Sequence, residues 1–292
     1  MNVRRILVPA LLATVGALAA PSKAAQAQAL PGPLDLVSGL DLECYKTPGP
    51  ALNINVNLTH LNPVLVALGL PAHQVTLREL QQTCVPVRKN NGGPSATALP
   101  FIRHIDFACY RVDAQPLPAP LQINLKHLNP VLAALPDHYV NITKPAQLCV
   151  PVAKNNVIPP DAVLQLVRYI DVECWDTLQN AHPNFSVTLN QLNPQLANIP
   201  GHQMTLTGVP RQLCVPVRKG NQAIPAATLN ILRWIDLEKF AAAPSVLIAP
   251  VNLMLRHLNP LFVNLPQVPV VLQEATSLMV PVAKNQNLPP LQ

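Results

Sequence analysis

Six cysteines are the residues of this chain best suited to covalent chemistry, and their spacing says which chemistry. They stand as Cys44 and Cys84, Cys109 and Cys149, and Cys174 and Cys214, each pair 40 residues apart and each displaced by 65 from the next. Thiolate zinc sites call for Cys-x-x-Cys spacing, which is absent. Disulfides are the alternative, joined either within each repeat or between neighbours. A fourth copy of the pattern discriminates, because there both positions have changed together, to Lys239 and Met279. Joint loss is what a bonded pair would show, so Cys44–Cys84, Cys109–Cys149 and Cys174–Cys214 are the expected bonds. Each closes a loop worth roughly 4 kcal/mol in the chain-entropy account.

Charged residues recur with the same regularity. Asp41 and Lys89 are 48 residues apart, as are Asp106 and Lys154, Asp171 and Lys219, and Asp236 and Lys284. If the two cysteines of a repeat face one another on antiparallel strands, each Asp and Lys become diagonal neighbours on the face opposite the disulfide. These are expected to be exposed ion pairs of small energy. Histidines recur as His60 with His73 and His127 with His138, while the later repeats keep His202 and His257. They are read as polar turn residues and not as metal ligands. After the leader only Ser38, Ser95, Ser186, Ser245 and Ser277 offer hydroxyl nucleophiles of the serine type, none in G-x-S-x-G. There is no H-E-x-x-H and no Gly-rich phosphate loop. The expectation is therefore no catalytic residue, no metal ligand, no cofactor and no enzyme activity.

The elements that must position these residues are repeated too. Asp41-Leu42-Glu43-Cys44-Tyr45 returns at Asp106, Asp171 and Asp236, and Cys84-Val85-Pro86-Val87 returns at Cys149, Cys214 and Met279. Between them lies His60-Leu61-Asn62-Pro63, with copies ending at Pro130, Pro194 and Pro260. Ile54, Val56 and Leu58 alternate with asparagines, the period of a half-buried strand. Val75 and Leu77 predict a third strand. The Val-Pro-Val segment predicts a fourth, at an edge or a bulge because proline lacks an N–H. Asn62-Pro63 fits either a short capped helix or a plain turn. The fold class expected is all-β, four tandem antiparallel modules of about 65 residues, three with an internal disulfide. Their bounds are 30–98, 99–163, 164–228 and 229–292, after a leader at 1–29.

That leader has the secretory pattern: Arg4 and Arg5, an apolar run from Ile6 to Ala20, and A-x-A sites ending at Ala29. No later stretch is apolar enough to span a bilayer, so the expectation is export to the periplasm or the cell exterior. Removing the leader leaves 17 basic and 14 acidic side chains, too weak an imbalance for a nucleic-acid footprint. Aromatic residues make up 4% of the chain. Tyr45, Tyr110, Trp175 and Phe240 occupy one repeated core position, leaving few for stacking platforms.

The Cys44-Tyr45-Lys46 opening and the Cys84 to Asn90 closing segment, Cys-x-Pro-Val-x-Lys-Asn, resemble the repeat module of uncharacterised exported bacterial proteins, a domain of unknown function. The resemblance runs through all four repeats and implies export and repetition, with no activity. The function expected is a non-enzymatic structural or interaction role at the cell exterior or envelope, the partner being an envelope protein or a second copy. The alternative is a small-ligand binder or enzyme with a pocket between modules of a closed four-unit ring. A linear array is favoured over a ring, with repeat four the least stable because it lacks the disulfide of the others and no copy follows it.

Overall fold

The computed structural model describes residues 29–90, 92–132, 134–178 and 184–291. The leader read at 1–29 lies outside these ranges apart from Ala29. Each repeat builds one string of elements. In repeat one α1 (Pro33–Ser38) leads to β1 (Asp41–Lys46), β2 (Ala51–His60), α2 (Pro63–Ala67) and β3 (His73–Lys89). Repeat two has α3 (Leu99–Ile102), β4 (Phe107–Asp113), β5 (Leu121–His127), a 3-10 turn at Pro130–Leu132 and β6 (His138–Lys154). Repeat three has α4 (Asp161–Val167), β7 (Val172–Leu178), β8 (Phe185–Gln191), a 3-10 turn at Pro194–Leu196 and β9 (His202–Lys219). Repeat four has α5 (Ala226–Leu232), β10 (Leu237–His257) and β11 (Val268–Lys284).

The all-β, repeated character is as expected, but three details differ. The third and fourth strands of a module are one continuous strand, 17 residues long in β3. A short helix heads each repeat, so boundaries at 163/164 and 228/229 cut through α4 and α5. Its signal was present: Val163, Leu166, Val167 and Ile170 are buried at the i, i+3, i+4, i+7 spacing of one helix face. Finally, Pro86 does not lie at a sheet edge. It is the Cα partner of Leu42 on one side, and on the other its carbonyl accepts from Leu192 N–H at 3.0 Å. Here the neighbour of β3 changes from β4, which begins at the Cys84 partner Phe107, to β8, which pairs from Val87 onward. A missing donor is tolerated at such a seam.

The repeats close on themselves. Strand β1 pairs with β3, then β4, β6, β7, β9, β10 and β11 follow in turn, and β11 pairs with β1, every pairing antiparallel. Leu42 and Cys44 of the first repeat thus face Met279 and Ser277 of the last. This overturns the linear array, whose two ends would leave unpaired strand edges that a closed barrel removes. A second set of pairings crosses between repeats two steps apart. The end of β2, Leu58 to His60, pairs with Lys219 to Val217 of β9, and β8 returns the contact to β3. Repeats two and four clasp in the same way through β5 with β11 and β10 with β6.

One face of the barrel strands carries the disulfides and packs under the four leading helices, with Leu42, Cys44, Phe107, Cys174 and Leu237 in one buried cluster with Leu36, Phe101 and Leu166. This is the inside, because side chains from different repeats converge there. Cys84 Sγ lies 3.7 Å from Cys109 Sγ, and Cys149 Sγ lies 3.9 Å from Cys174 Sγ. The opposite face, with Tyr45, Val85 and Val87, is covered by hairpin residues such as Val56, Leu58 and Val75.

Candidate functional site

The cysteines are joined as Cys44–Cys84, Cys109–Cys149 and Cys174–Cys214, with no free thiol among the described residues. In repeat four Lys239 takes the place of a cysteine and fills the same interior. Its ammonium donates to the side-chain carbonyls of Gln82, Gln147 and Gln212 at 2.5, 2.6 and 3.0 Å, one from each other repeat. Burial pushes its pKa down to about 7, against the pull of Asp176.

The four Asp and Lys pairs all form ion pairs: Asp41 with Lys89, Asp106 with Lys154, Asp171 with Lys219 and Asp236 with Lys284. Their positions follow the strand register, since Asp41 is opposite Val87 and Lys89 lies two residues on. The expectation that they are exposed is corrected, because all eight residues are buried. Burial raises each Asp pKa, the Lys partner opposing it, and lowers each Lys pKa. A buried pair needs further hydrogen bonds to offset desolvation, and the His-Leu-Asn-Pro segment supplies one. Asn129 Nδ2 donates to Asp41 at 2.6 Å, Asn193 to Asp106 at 3.1 Å, Asn259 to Asp171 at 2.7 Å and Asn62 to Asp236 at 2.6 Å. Each Asn belongs to the repeat after its Asp, and Asn62 of repeat one completes the circle with repeat four. The same Asn caps its own short helix or turn: Asn62 Oδ1 accepts from Val64 N–H at 2.9 Å, and Asn129, Asn193 and Asn259 do likewise. The Asn-Pro segment is therefore a joint between neighbouring repeats.

The histidines form a second kind of junction, between repeats two steps apart, and reading them as polar turn residues is corrected. His60 is buried, as are His127 and His257. His73 Nε2 lies 2.8 Å from Oε1 of Glu173, and His60 Nε2 lies 3.8 Å from its Oε2. Trp175 Nε1 donates to the same Oε2 at 3.1 Å. Repeats two and four repeat this arrangement: His138 Nε2 is 2.8 Å and His127 Nε2 is 3.8 Å from Glu238. Within each trio the candidate ligand atoms lie within 4.8 Å of one another. The other two copies are altered. Glu43 receives His202 Nε2 at 2.8 Å, Gln191 Nε2 at 2.8 Å and the Tyr45 hydroxyl at 2.9 Å. In the last copy His257 meets the Tyr110 hydroxyl at 2.9 Å, and Ala108 stands where the Glu would be.

Glu43, Glu173 and Glu238 were not recognised as functional candidates in the sequence. A signal existed. Repeat two, which has Ala108, faces repeat four, which has Val268 in place of the second His, so acid and second His are lost from the same junction. It becomes readable once the two-step partnership is known. Elsewhere, a cleft of about 650 Å³ opens where Leu30, Pro31 and Pro33 meet Ile231, Trp234 and Pro290, with Arg233 at its wall. Its described lining residues pair no nucleophile with a base. Comparison of the chain with protein-family models, with curated proteins and with solved structures finds no match.

Proposed function

We propose that this chain is a non-enzymatic exported protein with a structural role outside the cytoplasm, a covalently pinned ring that assembles through the hairpin of repeat four. Its resemblance to modules of exported bacterial proteins and its three disulfides support the compartment. Its repeated Asp, Lys and Asn residues are committed to joints between repeats, where they serve rigidity and not catalysis.

The carrying observation is the outward face of the last hairpin. Repeat four has Met254, Pro269 and Val271 there, where repeat one has Asn57, Gln74 and Thr76, and repeat three has Thr188, Gln203 and Thr205. Met254 is 36% exposed, Val271 45% and nearby Ile248 96%. In repeat one those positions are tied to each other, with Gln74 donating to Asn57 and Thr76 to Asn55. A second copy of the ring is the partner this face fits. One largely apolar hairpin among four limits association to an isologous pair, with the two patches covering each other. Light scattering of the oxidised chain over a concentration series is expected to show a dimer, and Met254→Asn with Val271→Thr, copying repeat one, a folded monomer. A parent chain that stays monomeric, or a dimer unchanged by the substitutions, overturns the assembly. Recovery from the cytoplasmic fraction with reduced thiols overturns the export.

A further inference from the structure

We propose that His60, His73 and Glu173 form one site, and His127, His138 and Glu238 a second, for a divalent first-row transition ion such as zinc. Each ion would clip a repeat to the one two steps away. Two imidazoles and one carboxylate are a donor set for zinc and its neighbours, and the nitrogen pair disfavours calcium and magnesium.

The local geometry supports this in three ways. His73 Nδ1 is 3.3 Å from the Pro71 carbonyl, and His138 Nδ1 is 3.4 Å from that of Pro136. With the ring proton on Nδ1, the tautomer this contact suits, the Nε2 lone pair faces the carboxylate, the arrangement in which a ligating imidazole is oriented by a backbone acceptor. A second proton or a metal ion must then lie between two acceptors only 2.8 Å apart. Next, His60 is buried and neither of its ring nitrogens has a hydrogen-bond partner among the described residues. A polar group left so inside a protein is costly unless something binds it. Third, tetrahedral coordination with bonds of about 2.0–2.1 Å sets ligand atoms about 3.3 Å apart. The 2.8 and 3.8 Å separations around Glu173 bracket that value, so small side-chain shifts complete the site. The side chains of His73 and His138 are 20% and 22% exposed, which provides a route for the ion and room for a water as fourth ligand.

The third junction is an internal control. There Gln191 replaces the buried His, and its amide and the Tyr45 hydroxyl both donate to Oε2 of Glu43, leaving His202 as the imidazole beside that carboxylate among the described residues. At the fourth junction Ala108 stands in place of the carboxylate. Two ions per chain are therefore expected, and not four.

The test is titration of the chelator-stripped, oxidised full-length chain with zinc, and with cobalt as an optical probe of tetrahedral coordination. Two ions should bind. His60→Gln, which copies repeat three, should leave one, and adding His127→Gln should leave none, each altered site losing at least about 100-fold in affinity. Zinc should raise the melting temperature of the parent chain and leave that of the double variant unchanged. Gln191→His tests the same idea by gain and should bring the stoichiometry to three. No saturable binding by the parent chain, or two ions still bound by the double variant, overturns the proposal.

Discussion

The residue following each buried lysine, Asn90, Asn155, Gly220 or Asn285, has a φ of 48° to 51° in all four repeats. Asn tolerates this left-handed conformation better than most residues, and Gly adopts it freely. The three asparagines also clasp the strand of the repeat two steps away. Asn90 donates its N–H to Thr188 O at 2.6 Å and accepts from Thr188 N–H at 2.9 Å, and Asn155 with Met254 and Asn285 with Asn124 do the same. Gly220 keeps only the first bond, to Asn57 O at 2.7 Å, and a Cβ built there meets nothing within 4 Å. Gly220→Asn should therefore restore the second bond, worth about 0.5–1.5 kcal/mol, and stabilise the protein by that amount less the cost of a side chain at positive φ, a conformation Asn already holds in the other three repeats. Urea unfolding should show a higher midpoint at unchanged slope. His104 contributes to an acid response together with His60 and His257: burial foremost, then Arg103 and Lys154, push its pKa down to about 4. The unfolded chain, titrating near 6.5, binds a proton there that the folded chain refuses. Stability should fall as pH drops from about 6.5 to 4, and His104→Gln should lessen that fall in pH-dependent melting curves.

At the scale of the element, the first and last strands of a repeat act as one stapled pair. Lys239 and Met279 are Cα partners on β10 and β11, as Cys44 and Cys84 are on β1 and β3. Lys239→Cys alone would leave the carbonyls of Gln82, Gln147 and Gln212 without their shared donor, a loss of about 1–3 kcal/mol. Adding Met279→Cys should form a fourth disulfide, detected by peptide mapping without reduction. The double variant should be more stable than the single one by roughly 3–4 kcal/mol, as loop closure predicts. A double variant that retains both thiols when oxidised would show that the fourth repeat differs from the others in backbone and not only in sequence. The paired cysteine strands and the Asp-to-Lys diagonal were legible in the sequence because they depend on register within one repeat. The leading helices were passed over, four to seven residues each beside prolines, although Val163, Leu166 and Val167 carried their period.

For the whole molecule, closure decides which experiments make sense. Leu34 N–H donates to Pro290 O at 3.0 Å, and β1 is paired with β11, so the first and last repeats share a sheet. In a linear array, deleting residues 229–292 would remove one unit and leave three intact. Here the deletion exposes the edges of β1 and β9, removes the Asp236 partner of Asn62 and takes away the clasp of β10 on β6. The truncated chain should lose cooperative unfolding and slow amide exchange in all three remaining repeats. If those three melt cooperatively and keep native protection, the repeats are independent after all. The earlier reason for a weak fourth repeat, the lack of a following copy, falls with the ring. Its lack of a disulfide stands.

What the sequence determined by itself was everything that repeats at fixed separation: four units, three disulfides, the alternation of the strands and the pairing of each Asp with its Lys. Register within a hairpin is set by side-chain alternation and covalent spacing, and both can be counted along a chain. Only the tertiary structure decided that Asn62 serves Asp236, that His60 meets Glu173, and that Lys239 ends among three glutamines. Those partners are brought together by ring closure and by pairing between repeats two steps apart. The Asp and Asn are the same in every copy, so local sequence cannot say which of them meet, and the altered positions Ala108, Gln191 and Val268 become readable only once the partnership of repeats two steps apart is known. That choice belongs to the barrel, where pairing the last free edges and burying the charge pairs out of water are accomplished together.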